Sequence, residues 1–356
     1  MRNLEYWAQR AIDELTTSER SVLDYEQDLI LAYKTALREI KKDIDAFFTR
    51  YAKLHKISYT EARKRLSVIE LSDFKDIVKS WLKIATTEGL SAEYISYLEH
   101  LLNSKYLSRL EMLEADVRHQ IELLEHDKYV QMTELMSINY LSAFYNRSYT
   151  IAHGCGVAVR FNAVTKSALE KAVKSKWSQY TYNQTIWNDR DKLTHALSTI
   201  IPQSFSRGLS SNQLGDMIAK EMNASLNRGR TLARTEVNYI CNQADLDAYK
   251  VAGIEEYDYL ATLDMKTSEI CRSLDGTKHK VSDAKVGVNY PPMHPNCRST
   301  TVPHFEDDDN LAERVARDES GKTIKVPRKM TQEEYINKYV PEDDREKLLN
   351  FRKKFL

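Results

Sequence analysis

A chain of 356 residues, 42% of them hydrophobic, is long enough for two or three domains with real cores, which excludes a disordered scaffold. Lysine plus arginine equals aspartate plus glutamate at 52 each, so the formal net charge is zero and an all-over basic nucleic-acid condenser is excluded. The N-terminal MRNLEYWAQRAIDEL lacks the apolar core of a signal peptide, no run approaches the roughly 18 apolar residues of a membrane helix, and 4 cysteines are too few for a disulfide framework. Synthesis and folding in a reducing cytoplasm are therefore expected, and the 21 tyrosines suit large protein interfaces.

No proline precedes Pro202, and before it the only glycines are Gly89, Gly154 and Gly156, so long helices are expected there. Ile30, Tyr33, Leu37, Ile40, Ile44, Phe47, Tyr51 and Leu54 step by three and four, one apolar stripe on a helix of about 35 residues. Ser58 with Glu61 reads as a capping box opening a helix over 59–68, followed by helices over 73–86 and 92–103, the last capped by Ser91. The stripe Tyr106, Leu110, Leu113, Val117, Ile121 and Leu124 continues toward Tyr145, which predicts an N-terminal helical bundle over 1–152.

A second helical segment is expected over 153–225. It opens with HGCGVAVRF, a loop or short strand in which Cys155 reads as a small buried hydrophobe. Helices resume near Ser167 and over 183–200, Pro202 stops the chain, and Gly208 with Ser210-Ser211 restarts it as SNQLGDMIAKEMN. An α+β head is expected over 226–305. Its helix over 226–251 carries Cys241 as a core residue, and Arg234 and Glu236, two apart, point to separate partners. After Gly253 the period changes to two: Tyr257, Tyr259, Ala261 and Leu263 predict a strand ending at Asp264. Asp275-Gly276 predicts a turn before a strand over 277–281, and a third strand is expected over 299–302, giving a small antiparallel sheet on the helix. The remainder, 306–356, reads as an acidic solvated run, a linker over 319–328, a capping box at Thr331 and Glu334, and a basic, apolar C-terminal helical tail from Pro341 that should dock on the bundle or on a partner. The fold class is mainly α, a long helical bundle followed by a small α+β head and the tail.

Candidate chemistry concentrates between Asp264 and Arg298. ARTE followed by NQA, then LD with TSEIC and LDG, then HPNCR, resembles the C-terminal domain of tailed-phage minor head proteins, the head-morphogenesis family that includes the Mu head protein F. Tyr6-Trp7, YAKLHKISYTEA and KWSQYTYNQTIW are similar to the same family in phages of Gram-positive hosts. The resemblance implies a structural minor capsid protein rather than an enzyme, made in the bacterial host cytoplasm and carried in the virion, inside the head at the portal vertex. It implies the portal protein as partner, with the scaffold or major capsid protein and packaged DNA as further contacts, and a role in procapsid assembly and DNA packaging or ejection. Arg234, Glu236, Asp264, Asp275, Gly276 and Arg298 stand at the family's motif positions, with structural roles.

Many members of the resembled family carry Cys-x-x-Cys before LDG and His-Pro-x-Cys-Arg-Cys near the end, a donor set suited to structural zinc. Here Ser268 and Ser299 replace two of those cysteines, leaving Cys271, His294 and Cys297, with His279 or Asp264 as a fourth donor. The loop could equally be held without metal by hydrogen bonds and proline rigidity. A zinc-dependent hydrolase or nucleic-acid-processing enzyme using Cys271, His294 and Cys297, with Glu269 as base, is the alternative. No Glu-x-Glu pair, phosphate loop or nucleophile elbow supports it. Small basic clusters for DNA are Arg63-Lys64-Arg65, Arg228 with Arg230, and Arg352-Lys353-Lys354.

Overall fold

The near-absence of glycine and proline before residue 202 is realised as long helices in the computed structural model, which describes residues 4–52, 56–155, 157–158, 164–262, 267–305, 315–317, 323–324, 345–347 and 350. Helix α1 runs Leu4–Tyr51, well beyond the stripe that announced it. Short α2, Tyr59–Ala62, is capped by Ser58, whose side chain accepts from the Glu61 amide. The expected helix over 59–68 breaks there, because a full capping box at Ser67 and Glu70 starts α3, Val68–Glu88, closed by Gly89 at φ 72. Then come α4, Ala92–Asn103, and α5, Arg109–Cys155.

Strand β1 is Val157–Ala158, followed by α6, Lys166–Val173, and α7, Tyr182–Ser206. Pro202 does not stop α7 but sits inside it: it forfeits its own amide one turn before the end, and the helix closes regardless. Helix α8 is continuous over Ser211–Ala252, so the expected boundary between residues 225 and 226 falls inside one helix. Strand β2, Glu256–Leu260, precedes α9, Glu269–Leu274, a helix the sequence reading did not anticipate. Strands β3, Lys278–Lys280, and β4, Thr300–Pro303, flank β2 in an antiparallel sheet of order β3-β2-β4, with Tyr257 opposite both His279 and Pro303. Within the predicted linker, β6 (Thr323–Ile324) pairs with β5 (Val315–Arg317), which pairs in parallel with β1. The chain is mainly α with a small antiparallel sheet, as predicted; Asp264, the capping box at Thr331 and Glu334, and nearly all the tail lie outside the described residues.

The chain divides into two units, and α1, α5 and α8 contribute a segment to each. Unit 2 holds residues 27–130 and 183–229. Its apolar core includes Phe74, Val78, Tyr94, Leu98 and Leu107, and Phe47 and Phe48 pack on Phe205. His119 lies between Tyr94 and a stacked Trp81, and burial holds its pKa at about 4. Unit 1 holds residues 1–26, 131–182 and 230–356. Its core joins Trp7 and Ala11 of α1, Ile151 of α5 and Leu246 and Tyr249 of α8 to Tyr257, Tyr290 and Val302 of the sheet region. A Cβ on Gly154 would stand 2.3 Å from the Trp7 indole, so the helix approaches that ring only with glycine there. Arg147, fully buried, donates two bonds to Asp245 at 2.9 and 2.8 Å and one to the Thr301 carbonyl, and reaches Glu14 at 3.1 Å. One side chain thereby ties α1, α5, α8 and β4.

Candidate metal centre

The loop carrying HPNCR is fastened to one face of α8. Thr235, Asn238 and Asn242 recur at i, i+3 and i+7, the spacing of a single helix face. Thr235 Oγ1 accepts the Asn296 amide at 2.9 Å, and the Asn238 and Asn242 amides donate to the Ser299 carbonyl at 3.0 and 3.3 Å. The ARTE–NQA helix and the HPNCR loop are thus one packed unit. Asn296 takes φ 59, a left-handed conformation that asparagine tolerates, and the Cys297 amide closes the turn onto the His294 carbonyl at 3.1 Å. On the other side Ser268 caps α9, its hydroxyl accepting the Cys271 amide. The Asp275 carboxylate accepts the Ala261 amide, and Gly276, at φ 71, completes the turn into β3.

These supports bring Cys271, His294 and Cys297 together, all their donor atoms within 4.8 Å of one another. Cys271 Sγ stands 3.8 Å from Cys297 Sγ and 3.4 Å from His294 Nε2. His294 Nδ1 lies 2.9 Å from the Pro295 carbonyl, which can only accept, so Nδ1 carries a proton and Nε2 is the nitrogen turned toward the thiols. Burial pushes the Cys271 thiol up, but hydrogen bonds from Ser268, Ser299, Tyr259 and His294 outweigh it and bring it down to about 7; burial raises Cys297. A tetrahedral zinc with Zn–S near 2.3 Å and Zn–N near 2.0 Å has an S···S edge of about 3.8 Å and an S···N edge of about 3.5 Å. The residues therefore fit three corners of such a site. Ser268 Oγ, in the place of the family's first cysteine, is 2.8 Å from His294 Nε2. His279 does not join the cluster: its Nε2 bonds Thr277 Oγ1 and its ring packs on Tyr257. Glu269 is exposed on α9.

A cleft of about 530 Å³ opens beside the cluster, lined by Leu15, Val22, Val237, His294, Cys297 and Arg298 among others. Arg234, also on its wall, and Arg230 both pair with the buried Glu26 of α1. Glu236 instead accepts from the Trp177 indole at 3.2 Å, and burial raises its carboxyl to about 7. Of the basic clusters, Arg228 pairs with Asp189, Lys64 with Glu61, and Arg65 stacks on Tyr106; Arg352, Lys353 and Lys354 lie outside the described residues.

Residues 195–302, the end of α7 through β4, match the family described as Phage Mu protein F like protein. The chain is also 26% identical to the minor head protein GP7 of Bacillus phage SPP1, over 256 residues that make up 70% of this chain and 69% of that protein. Over these stretches the chain is similar to the phage head-morphogenesis family. No solved structure matches it. The matched segment contains both the thiol-imidazole cluster and the α8 face that holds it. What sequence reading missed was that face: Asn238 and Asn242 are buried polar residues whose spacing from Thr235 was the available signal. No described helix is long and apolar enough to cross a membrane.

Proposed function

We propose that this minor head protein works inside the virion at the portal vertex, where it binds the portal protein and assists procapsid assembly and DNA packaging or ejection. The observation that carries this reading is the extent of the likeness to a minor head protein: 256 aligned residues reach well beyond the matched 195–302 into the helical part. The role is structural. Its surroundings support that: the cysteines of the cluster are each only 2% exposed, and the loop is pinned to α8 by buried amides. Scaffold or major capsid protein and packaged DNA are further contacts, the last weak and salt-dependent. Co-purification with the portal protein of the same phage tests the reading; no association with portal or procapsid, together with absence from purified virions, would overturn it.

Within this role Cys271, His294 and Cys297 hold one zinc ion, which supplies folding free energy by tying α9 to the HPNCR turn. Purified protein should carry close to one equivalent, and Cys297→Ser should release it and lower the melting temperature. Metal-free protein that melts unchanged after the substitution would leave a loop held by its hydrogen bonds alone, and would also remove the hydrolase alternative, which needs the same metal.

A further inference from the structure

Cys271 and Cys297 are unlinked thiols whose sulfurs stand 3.8 Å apart. A disulfide of about 2.05 Å needs them to approach by less than about 2 Å, a small side-chain adjustment in a turn and a short helix. The pair is buried, yet Cys297 and His294 line the cleft, so a small solute has a route to the sulfurs. Cys241, by contrast, has asparagine at 3.9 Å where a second thiol would have to be.

We propose that Cys271 and Cys297 form an oxidisable dithiol site, closed to a disulfide by a small peroxide such as hydrogen peroxide. The Cys271 sulfur attacks one peroxide oxygen and the O–O bond breaks, giving a sulfenic acid and water. The Cys297 sulfur then attacks that sulfenyl sulfur. The S–S bond forms, the S–O bond breaks, and hydroxide leaves with the Cys297 thiol proton as a second water. Two thiols and one peroxide become one disulfide and two waters. The product links the same two segments that the proposed zinc would link, and it excludes the metal by consuming both thiolates. A protein folded in a reducing cytoplasm and later carried outside the cell thus has a covalent clamp available where reductant is absent. The site does not depend on zinc having been bound.

The test uses the full chain, purified in reductant, stripped with a chelator and given one equivalent of hydrogen peroxide. Digestion without reductant and mass spectrometry should find the Cys271 and Cys297 peptides joined, two thiols lost per chain, both restored by dithiothreitol. Closure should run roughly tenfold faster than any oxidation of Cys241, which has no second thiol beside it among the described residues. In Cys297→Ser, Cys271 should stop at a sulfenic acid that dimedone traps; should that variant not fold, the wild-type digest decides alone. Sulfinic acid at Cys271 without a linked peptide, or linkage to another cysteine instead, would overturn the inference. Zinc content, measured before stripping, separates the two ideas: closure in protein that never held zinc overturns only the metal reading, and bound zinc without closure after stripping overturns only this one.

Discussion

Two buried ion clusters, one in each unit, differ in their ratio of charges. In unit 1 the guanidinium of Arg147 serves two carboxylates, Asp245 and Glu14, whereas in unit 2 the ammonium of Lys128 meets the single carboxylate of Glu125 beside Tyr33 and Ser225. In unit 2 the pair balances its own charge. In unit 1 one cation cannot neutralise two acids away from water, so one acid keeps its proton. Burial, opposed by Arg147 and reinforced by Asp245, raises Glu14 to about 8. The lesson is that the region built around the head is held by a charge-deficient clamp.

The largest test removes the cations. Arg147→Met takes the guanidinium from the buried Asp245 carboxylate, from Glu14 and from the Thr301 carbonyl and should cost about 3–5 kcal/mol, while Lys128→Met leaves Glu125 alone and should fall at the lower end of that range. Urea unfolding monitored by tryptophan fluorescence measures both; equal losses would erase the contrast. Next is pH. Glu14 has its folded pKa raised from 4.5 to about 8, so its contribution is complete below about 4.5 and is lost as pH climbs through about 8. Melting temperature should therefore fall between about pH 4.5 and about pH 8, by roughly 2–4 °C for each kcal/mol lost, and Glu14→Gln should flatten that fall. A slope that survives the substitution would assign it to another group. Glycines extend the contrast on a smaller scale. Gly154→Ala drives a methyl into the rigid Trp7 indole and should cost about 1–3 kcal/mol. Gly229→Ala meets the tip of Leu29 at 3.2 Å and the Lys128 stem at 3.7 Å, and should be neutral or stabilise unit 2 by up to about 1 kcal/mol through helix propensity.

Periodicity made the helices legible, because an apolar stripe survives whatever the helix packs against; α4 was predicted residue for residue. The sheet was legible from the alternation around Tyr257 and Tyr259 and from the Asp275-Gly276 turn. The failures have separate causes. The α3 start escapes sequence reading because Ser67 and Glu70 bracket exposed Val68 and Ile69, where no core face signals a helix. Pro202 was misread because one missing donor near a helix end costs little. At the candidate site, Cys271, His294 and Cys297 came from motif resemblance, and the structure brings them together. Their support did not show, since Arg147 with Asp245, or Thr235 with Asn296, are distant in sequence and polar, and no local pattern links such partners.

The smallest prediction separates the units by function rather than by energy. Thr235→Val keeps the side-chain shape but leaves the Asn296 amide without its acceptor, and Ser67→Ala removes a helix cap in unit 2; each should cost about 1 kcal/mol. Their consequences at the thiols should differ. Asn296 sits at φ 59 between His294 and Cys297, and its amide is one of the bonds that fix the turn on α8. Loosening it should let Cys297 drift from Cys271, speeding its alkylation by iodoacetamide and slowing disulfide closure, while Ser67→Ala should change neither rate. Thiol kinetics on the two equally destabilised proteins read this directly. Equal acceleration in both would mean that the thiols report global stability, and that the α8 face does not hold the site.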